Sequence, residues 1–448
     1  MSFTHFEVEY TKEGQVFNHS QVDNVLANLS KFTDLFVMSH GWNNDMREAR
    51  QLYDNFFKSA GQLLDINAVE GLADRKFGVV RLFWPSKKFA DEDLIPGGGA
   101  ASAMQENEDS LILFLERMKF NPARLSDAAK GRKPTLDRKR VAALDAAQAL
   151  VPKLDTSKRA RAEFVEHLRS ILDPSSAHAD DGSDEFFALA PEDLFDAFAE
   201  GVVAPAPSGK AGGARAMDGL TRHDGGGAAG VADLVSGVKA AARRIANFAT
   251  YNEMKQRAGL VGSTGVAALI GRIRDQQKGV KVHLVGHSFG GRLVTAASNA
   301  LPRGTPLMSV SLLQAAFSHN GLATNYDNDH DGEFCALVAE KRASGPIIIT
   351  HTKNDRAVGV AYPLASRISR DQASALGDKN DPYGGMGRNG AQKMGPETSE
   401  GTLLRPGRPY AFVSGNVYNL NADDTIANHG DVANEPVAYA VLNAVKAL

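Results

Sequence analysis

The sequence predicts an α/β protein: a mostly parallel central sheet flanked by helices and interrupted by a large helical insertion. Three observations predict it. Short apolar runs rich in β-branched residues, such as 34–39 and 281–285, read as buried strands. Between such runs lie stretches with helical periodicity, as in Ala49, Leu52, Tyr53, Phe56, Phe57, Ala60, Leu63 and Leu64, spaced three and four apart. The run 281–285 leads into Gly286-His287-Ser288-Phe289-Gly290-Gly291 and then a helical pattern through Leu293, Val294, Ala296 and Ala297. A strand that turns sharply into a helix has no room for β-carbons two residues either side of the apex, and the glycines at 286 and 290 remove that clash.

Taken in order, residues 3–10 alternate apolar Phe6, Val8 and Tyr10 with polar His5, Glu7 and Glu9, the pattern of an edge strand. The strand at 34–39 ends in Ser39-His40-Gly41-Trp42, and the strand at 77–83 ends in Trp84-Pro85-Ser86. Strand, helix, strand is the unit that builds parallel sheets. From 87 to 233 no strand is expected. Gly97-Gly98-Gly99 reads as a flexible link, helices are expected near 110–118, 136–150 and 159–172, and the Gly/Ala/Pro-rich stretch 205–230 reads as a linker. Charge is sorted here: 124–169 is rich in Lys and Arg, and 173–200 holds Asp180, Asp181, Asp184, Glu185, Glu192, Asp193 and Asp196. Solvated faces are expected, with pairing of the two halves as the alternative.

Regularity returns at 233. One helix runs through Val238, Ile245, Phe248 and Met254, and Ser263 is placed to cap a second, with Val266, Leu269, Ile270 and Ile273 on one face. Strands are expected at 309–315, 346–350 and 410–414, a helix at 360–376, a Gly-rich loop at 377–401, and a final helix marked by Val437, Val441, Leu442 and Val445. The organisation is therefore a core in two parts, 1–88 and 233–448, with 89–232 as an insertion or cap. The insertion starts at the C-terminal edge of the sheet, so it is expected to lie over that edge. The core strands lie outside it, so replacing about 91–230 with a short Gly/Ser linker is expected to leave the fold standing.

Composition narrows the function. Of the 448 residues 43% are hydrophobic, enough for a core, and the net charge of −3 leaves no basic excess for nucleic acid. The single cysteine, Cys335, allows no internal disulfide and fits a reducing compartment. The N-terminus has no signal-peptide pattern and no apolar run approaches a membrane span, so a soluble cytoplasmic protein without a transmembrane segment is expected. No cofactor is expected, and no protein partner is indicated.

Serine is a poor nucleophile until a histidine takes its proton and a carboxylate holds that histidine. In a parallel sheet such groups sit just past strand C-termini. Asp355 follows the apolar run 347–349, and His429 follows the last expected strand, which puts Ser, Asp and His in that chain order. Asp423, Asp424 and Asp431 compete for the acid, and His319, His330 and His351 for the base. His40 and His287 read as structural parts of their backbone motifs. Lys353, Arg356, Tyr383 and Arg388 lie on loops where they either contact substrate or serve as surface residues.

Together Ser39-His40-Gly41-Trp42, Phe83-Trp84-Pro85-Ser86, the segment 286–291, Asp355 and His429-Gly430-Asp431 resemble the α/β-hydrolase superfamily of serine esterases and lipases, over about residues 30–86 and 250–448. The resemblance implies an α/β-hydrolase fold with Ser288 as nucleophile, His429 as base and Asp355 as acid. It implies the backbone N–H groups of Phe289 and Trp42 as the oxyanion hole, and a small-molecule or lipid ester as substrate. The leading expectation is hydrolysis of carboxylic esters through an acyl-enzyme. A lipid acyl hydrolase with the insertion as lid, and a non-catalytic binding protein on the same scaffold, are the alternatives.

A last signal is Asp327-Asn328-Asp329-His330-Asp331-Gly332, whose alternate aspartates match the opening of a calcium loop. The closing glutamate is missing, because the twelfth position is Val338. An acidic turn with Asp331 capping a helix at 333–341 is the stronger expectation, and Asp327, Asp329 and Asp331 remain the calcium candidates.

Overall fold

The computed structural model describes residues 3–86, 108–129, 137–199, 237–305, 307–355, 357–358 and 379–447. Its centre is one eight-stranded sheet: β1 (Thr4–Glu9), β2 (Asp34–Ser39), β3 (Phe77–Phe83), β4 (Lys281–His287), β5 (Ser309–Leu313), β6 (Ile347–His351), β7 (Thr398–Thr402) and β8 (Val417–Asn421). The order is β1-β3-β2-β4-β5-β6-β8-β7, and every pairing is parallel. Inner strands of a parallel sheet are covered on both faces, which is why β2, β3, β5 and β6 are buried along their whole length and read as apolar runs.

The principal helices are α1 (His19–Asn28), α2 (Met46–Asp65), α3 (Glu108–Met118), α4 (Arg138–Leu150), α5 (Lys158–Arg169), α6 (Val238–Leu260), α7 (Ala267–Gln276), α8 (Phe289–Ala300) and α9 (Glu435–Lys446). Val22 of α1, Ile270 of α7 and Leu293 of α8 share the apolar layer on one sheet face. Phe56 of α2 and Val441 of α9 belong to the layer on the other. Asp45 starts α2 with a reciprocal cap: its Oδ1 accepts from the Arg47 and Glu48 N–H groups, and Glu48 Oε2 accepts from the Asp45 N–H at 2.7 Å.

Several expectations change. Ser263 caps nothing. Residues 261–266 form a π-helical turn that joins α6 to α7, and the Ser263 hydroxyl points back to the Leu260 carbonyl. A β-carbon at Gly262 would lie 2.1 Å from the Leu293 carbonyl oxygen, so the turn is glycine-rich where it presses on α8. The strand expected at 410–414 is instead the run Val417–Asn421. Tyr410 and Phe412 stack with each other at 4.5 Å, and Phe412 packs at a tilt on Tyr418 at 4.8 Å, outside the ladder. The polar strand β8 is held by Asn419, whose side chain exchanges hydrogen bonds with the Ala391 backbone at 2.8 and 2.9 Å. The Gly-rich loop contains β7, an almost wholly exposed edge strand with no apolar signal. The link at 97–99, the linker at 205–230, the helix at 360–376 and Arg356 lie outside the described residues.

Among the described residues of the insertion no strand occurs, as expected. Its helices form a third apolar cluster, in which Phe114, Leu144, Phe164 and Phe195 pack with Ile245 and Phe248 of α6. The insertion therefore shares its core with a helix on the far side of the 232/233 boundary. Its removal would uncover the Ile245 and Phe248 face. Trp42 packs against this cluster and against the sheet layer below it, so the insertion adjoins the edge where β2 ends. Among the described residues no helix is long and apolar enough to cross a membrane.

Candidate active site

Ser288 stands between the end of β4 and the first residue of α8, with φ 56° and ψ −126°. That backbone is strained for any residue with a β-carbon, and it persists because strand and helix on either side over-determine it. The flanking glycines are sterically required. A β-carbon at Gly286 would lie 2.3 Å from the Gly290 carbonyl oxygen, and one at Gly290 would lie 2.3 Å from that of Ser39. Phe289 occupies the first helical position, where the N–H has no acceptor in a preceding turn.

The loop after β2 closes over the serine. A β-carbon at Gly41 would lie 2.6 Å from the Ser288 Cβ and 3.2 Å from its Oγ, so only glycine lets the chain pass this close before Trp42. His40 braces the loop from inside the core: its Nδ1 donates to the Gly41 carbonyl at 2.9 Å, its ring stacks on Trp84 at 5.7 Å, and its N–H donates to the Tyr53 hydroxyl. Burial outweighs that backbone bond and holds His40 down to about 4, so it is a neutral structural group. Trp42 is fixed by ring contacts with Tyr251 at 6.2 Å and Phe289 at 5.9 Å.

Of the competing carboxylates, Asp355 meets His429. His429 Nδ1 donates to Asp355 Oδ2 at 2.8 Å, and Asp355 is wholly buried just past β6. Its other oxygen accepts from the Val358 N–H at 3.0 Å. Asp423 is occupied instead by Thr352, the Lys353 N–H and the Lys353 ammonium. Asp431 accepts from the Ala427 N–H and the Asn434 side chain and braces the His429 loop. The rival histidines go elsewhere: His319 Nδ1 contacts Asn389, His330 pairs with Asp327 on the surface, and His351 ends β6 without meeting Asp355. His287, the residue before the serine, has its ring 4.9 Å from that of His429. Among the described residues no hydrogen bond joins Ser288 Oγ to His429.

Of the loop residues considered for substrate contact, Lys353, Tyr383 and Arg388 bond within the protein. Arg388 donates to the carbonyl of Lys353 at 2.7 Å and thereby braces the segment carrying Asp355. The Tyr383 hydroxyl donates to Glu185 of the insertion at 3.1 Å. Gln314 was not anticipated. It lies just past β5, fully buried with φ 46°, and its Nε2 reaches the Gly387 carbonyl at 2.9 Å and Asp355 Oδ2 at 3.5 Å. The signal available in the sequence was a lone amide at the end of an apolar strand.

The sorted charge of the insertion divides: Asp184 and Asp196 are exposed as expected, Glu192 pairs with Arg161 of the basic half at 2.8 Å, and Asp180 and Asp181 are not solvated. Asp180 and Asp181 are buried, with Glu333 close enough for the three carboxylates to share one ion. Protein cations already sit there: Lys255 of α6 pairs with Asp181, and Arg292 of α8 grips Glu333 with two bonds of 2.5 and 2.7 Å. Burial alone would raise the Asp181 carboxyl, but Lys255 and Arg292 outweigh it and hold it below the usual range. The Glu333 N–H donates to Asp180 Oδ2 at 3.0 Å, which ties the insertion to the loop facing α8.

The calcium candidates are spent on their own turn. Asp327 accepts from the Asp329 and His330 N–H groups, Asp331 accepts from the Asn325 N–H at 2.7 Å, and Asp327, Asp329 and Asp331 do not form a three-ligand cluster. Asp331 does not cap a helix either, since the only helix there is the four-residue Ala336–Ala339.

No family model, no curated protein and no solved structure matches this chain.

Proposed function

We propose that the chain is a serine hydrolase of α/β-hydrolase type that cleaves carboxylic esters through an acyl-enzyme. One observation carries the reading: a serine in the strained turn between β4 and α8, beside a histidine hydrogen-bonded at 2.8 Å to a buried carboxylate. The serine follows β4, the carboxylate follows β6 and the histidine follows β8, all at the C-terminal edge of one parallel sheet, where loops converge on a ligand.

In this reading Ser288 Oγ attacks the ester carbonyl as its proton passes to His429 Nε2. Asp355 stabilises the imidazolium and keeps Nδ1 as the donor, so that Nε2 is free to accept. The N–H groups of Phe289 and Trp42 receive the developing oxyanion, each worth about 3 kcal/mol in such a site. His429 then returns the proton to the departing alcohol, and water repeats the sequence on the acyl-serine. Approach of Ser288 Oγ to Nε2 belongs to the substrate complex, since catalytic hydrogen bonds are often loose without ligand.

A fluorophosphonate probe followed by mass spectrometry of the labelled peptide tests the reading. Labelling of Ser288, absent in Ser288→Ala, is the expected result. A folded wild-type protein that takes no label and hydrolyses no activated ester would leave the binding-scaffold alternative in its place.

A further inference from the structure

We infer that His287 is a positioning residue for His429, holding the backbone of the histidine loop while Asp355 holds the ring. The inference rests on the serine-hydrolase reading and deepens it. His287 Nε2 lies 2.8 Å from the His429 carbonyl oxygen, so this nitrogen carries the proton and donates it. The tautomer leaves Nδ1 as a bare acceptor, and Nδ1 is buried without a hydrogen-bond partner. An unpartnered buried polar atom costs about 1–3 kcal/mol, a cost that an apolar side chain of similar bulk would avoid. What the histidine provides in exchange is one directed bond, and that bond goes to the residue proposed as base.

The placement gives the bond its leverage. His287 precedes Ser288 in the chain and ends β4, while His429 lies 142 residues further on, past the last strand. One imidazole therefore ties the serine's strand end to the histidine's loop. The rings pack at 4.9 Å with a 42° tilt, which sets the distance between the two segments as well as their register. Burial first, and the neighbouring His429 and His40 next, hold His287 down to about 3. It stays neutral while His429 takes and returns a proton, so it neither competes for that proton nor repels the imidazolium. The remainder of the loop is braced independently, by Asp431 on the Ala427 N–H and by Asn434 on the Thr425 carbonyl. Loss of the His287 bond should thus loosen position 429 without unfolding its loop.

The test compares His287→Leu, which removes the donor, with His287→Gln, which restores an N–H of similar reach. Both are measured by kcat and KM on p-nitrophenyl acetate, by the rate of fluorophosphonate labelling at Ser288, and by thermal midpoint. The leucine variant should lose about 10–100-fold in kcat and in labelling rate with KM little changed, the scale expected when a catalytic group is misplaced by about an ångström. The glutamine variant should recover most of that loss. Should the leucine protein fail to fold, His287→Asn replaces it, because its shorter arm cannot span to the carbonyl. A donor-less variant with wild-type kcat, or one whose loss glutamine does not relieve, overturns the inference while labelling of wild-type Ser288 keeps the hydrolase reading intact. A wild-type protein that neither labels nor hydrolyses overturns both.

Discussion

Two Ser–His–Asp arrays stand at opposite edges of the same sheet. At the C-terminal edge, His429 meets Asp355 at 2.8 Å beside Ser288. At the N-terminal edge, the Ser309 hydroxyl lies 2.8 Å from His283 Nδ1, and His283 Nε2 donates to Asp34 at 3.0 Å. The residue types match and the His–Asp lengths nearly do, but only the N-terminal array has its serine bonded to the histidine, and everything around the two differs. Ser309, His283 and Asp34 all lie on strands, within β5, β4 and β2, and none is more than 1% exposed. Asp34 also receives Arg75 at 3.0 Å and the Thr33 hydroxyl at 2.6 Å, so its charge is balanced from within. The ring is reversed as well: Nε2 faces the acid, and Nδ1 takes the serine proton. Ser288, by contrast, is lifted off the strand by its φ of 56°, and its histidine and acid come from loops. Residue types alone do not set the two arrays apart. Backbone conformation at the serine and position at the loop-bearing edge do, and the proposed hydrolase reading rests on them.

The comparison breaks most sharply at the two serines and the two acids. Ser288→Ala should lower ester hydrolysis by more than about 10⁴-fold, as loss of a nucleophilic serine does, with a thermal midpoint close to wild type. Activity within a few-fold of wild type would remove Ser288 from the role. Asp355→Asn should cut kcat by about 10⁴-fold, whereas Asp423→Asn and Asp431→Asn should leave it nearly unchanged. If either of those two produced the large loss, the acid would be wrongly assigned.

Asp34→Asn should do the reverse of Asp355→Asn. It removes the buried negative charge that Arg75 and His283 face, so urea denaturation should report a loss of about 3–5 kcal/mol, the usual penalty for breaking a buried ion pair. Turnover per folded molecule should hold. A catalytic defect as large as that of Asp355→Asn would erase the distinction between the two edges.

Acid titration sharpens it further. His283 is held below its ordinary 6.5, burial outweighing the pull of Asp34. A histidine lowered by folding is bound by fewer protons in the folded than in the unfolded state. Its contribution to stability is therefore complete above about 6.5 and is lost as the pH falls below that. His287 and His40, lowered to about 3 and about 4, act in the same direction. Asp34 enters later, only below the ordinary carboxylate value of 3.8, because the His283 and Thr33 hydrogen bonds overcome burial and hold it down. Stability should decline from pH 6.5 downward, by up to about 1.4 kcal/mol per pH unit for each such histidine. His283→Asn should show a shallower decline in that window, measured by urea midpoints from pH 7 to about 5. An unchanged slope would mean that His283 already titrates in the folded protein.

The smallest effect is expected at Ser309→Ala. It removes one donor from His283 Nδ1 and should cost about 1–2 kcal/mol, with kcat unchanged. Together with Ser288→Ala it completes the contrast: one serine measured by rate, the other by stability.

Much of this was legible in the chain. The strands at 34–39 and 77–83 were written in runs buried on both faces, and α2 in its three-and-four spacing, because side-chain period follows directly from backbone geometry. The turn at Ser288 was equally local: Gly286 and Gly290 are needed wherever a strand folds straight into a helix, whatever the rest of the protein does. The choice among Asp355, Asp423 and Asp431 was not local, since each follows a plausible strand end and only the adjacency of β6 and β8 brings Asp355 to His429. Nor was β8 itself, whose Asn419 is acceptable in a buried strand because the Ala391 backbone and Glu400 satisfy it. The acids at 180 and 181 read as solvated because Lys255, the cation that buries one of them, lies more than seventy residues away. Period and backbone sterics act between neighbours in the chain, so the sequence by itself determined the elements and the serine turn. Pairing of charges and hydrogen bonds acts between neighbours in space, so only the packed sheet decided which Ser, His and Asp come together within the strands and which come together on the loops at the C-terminal edge.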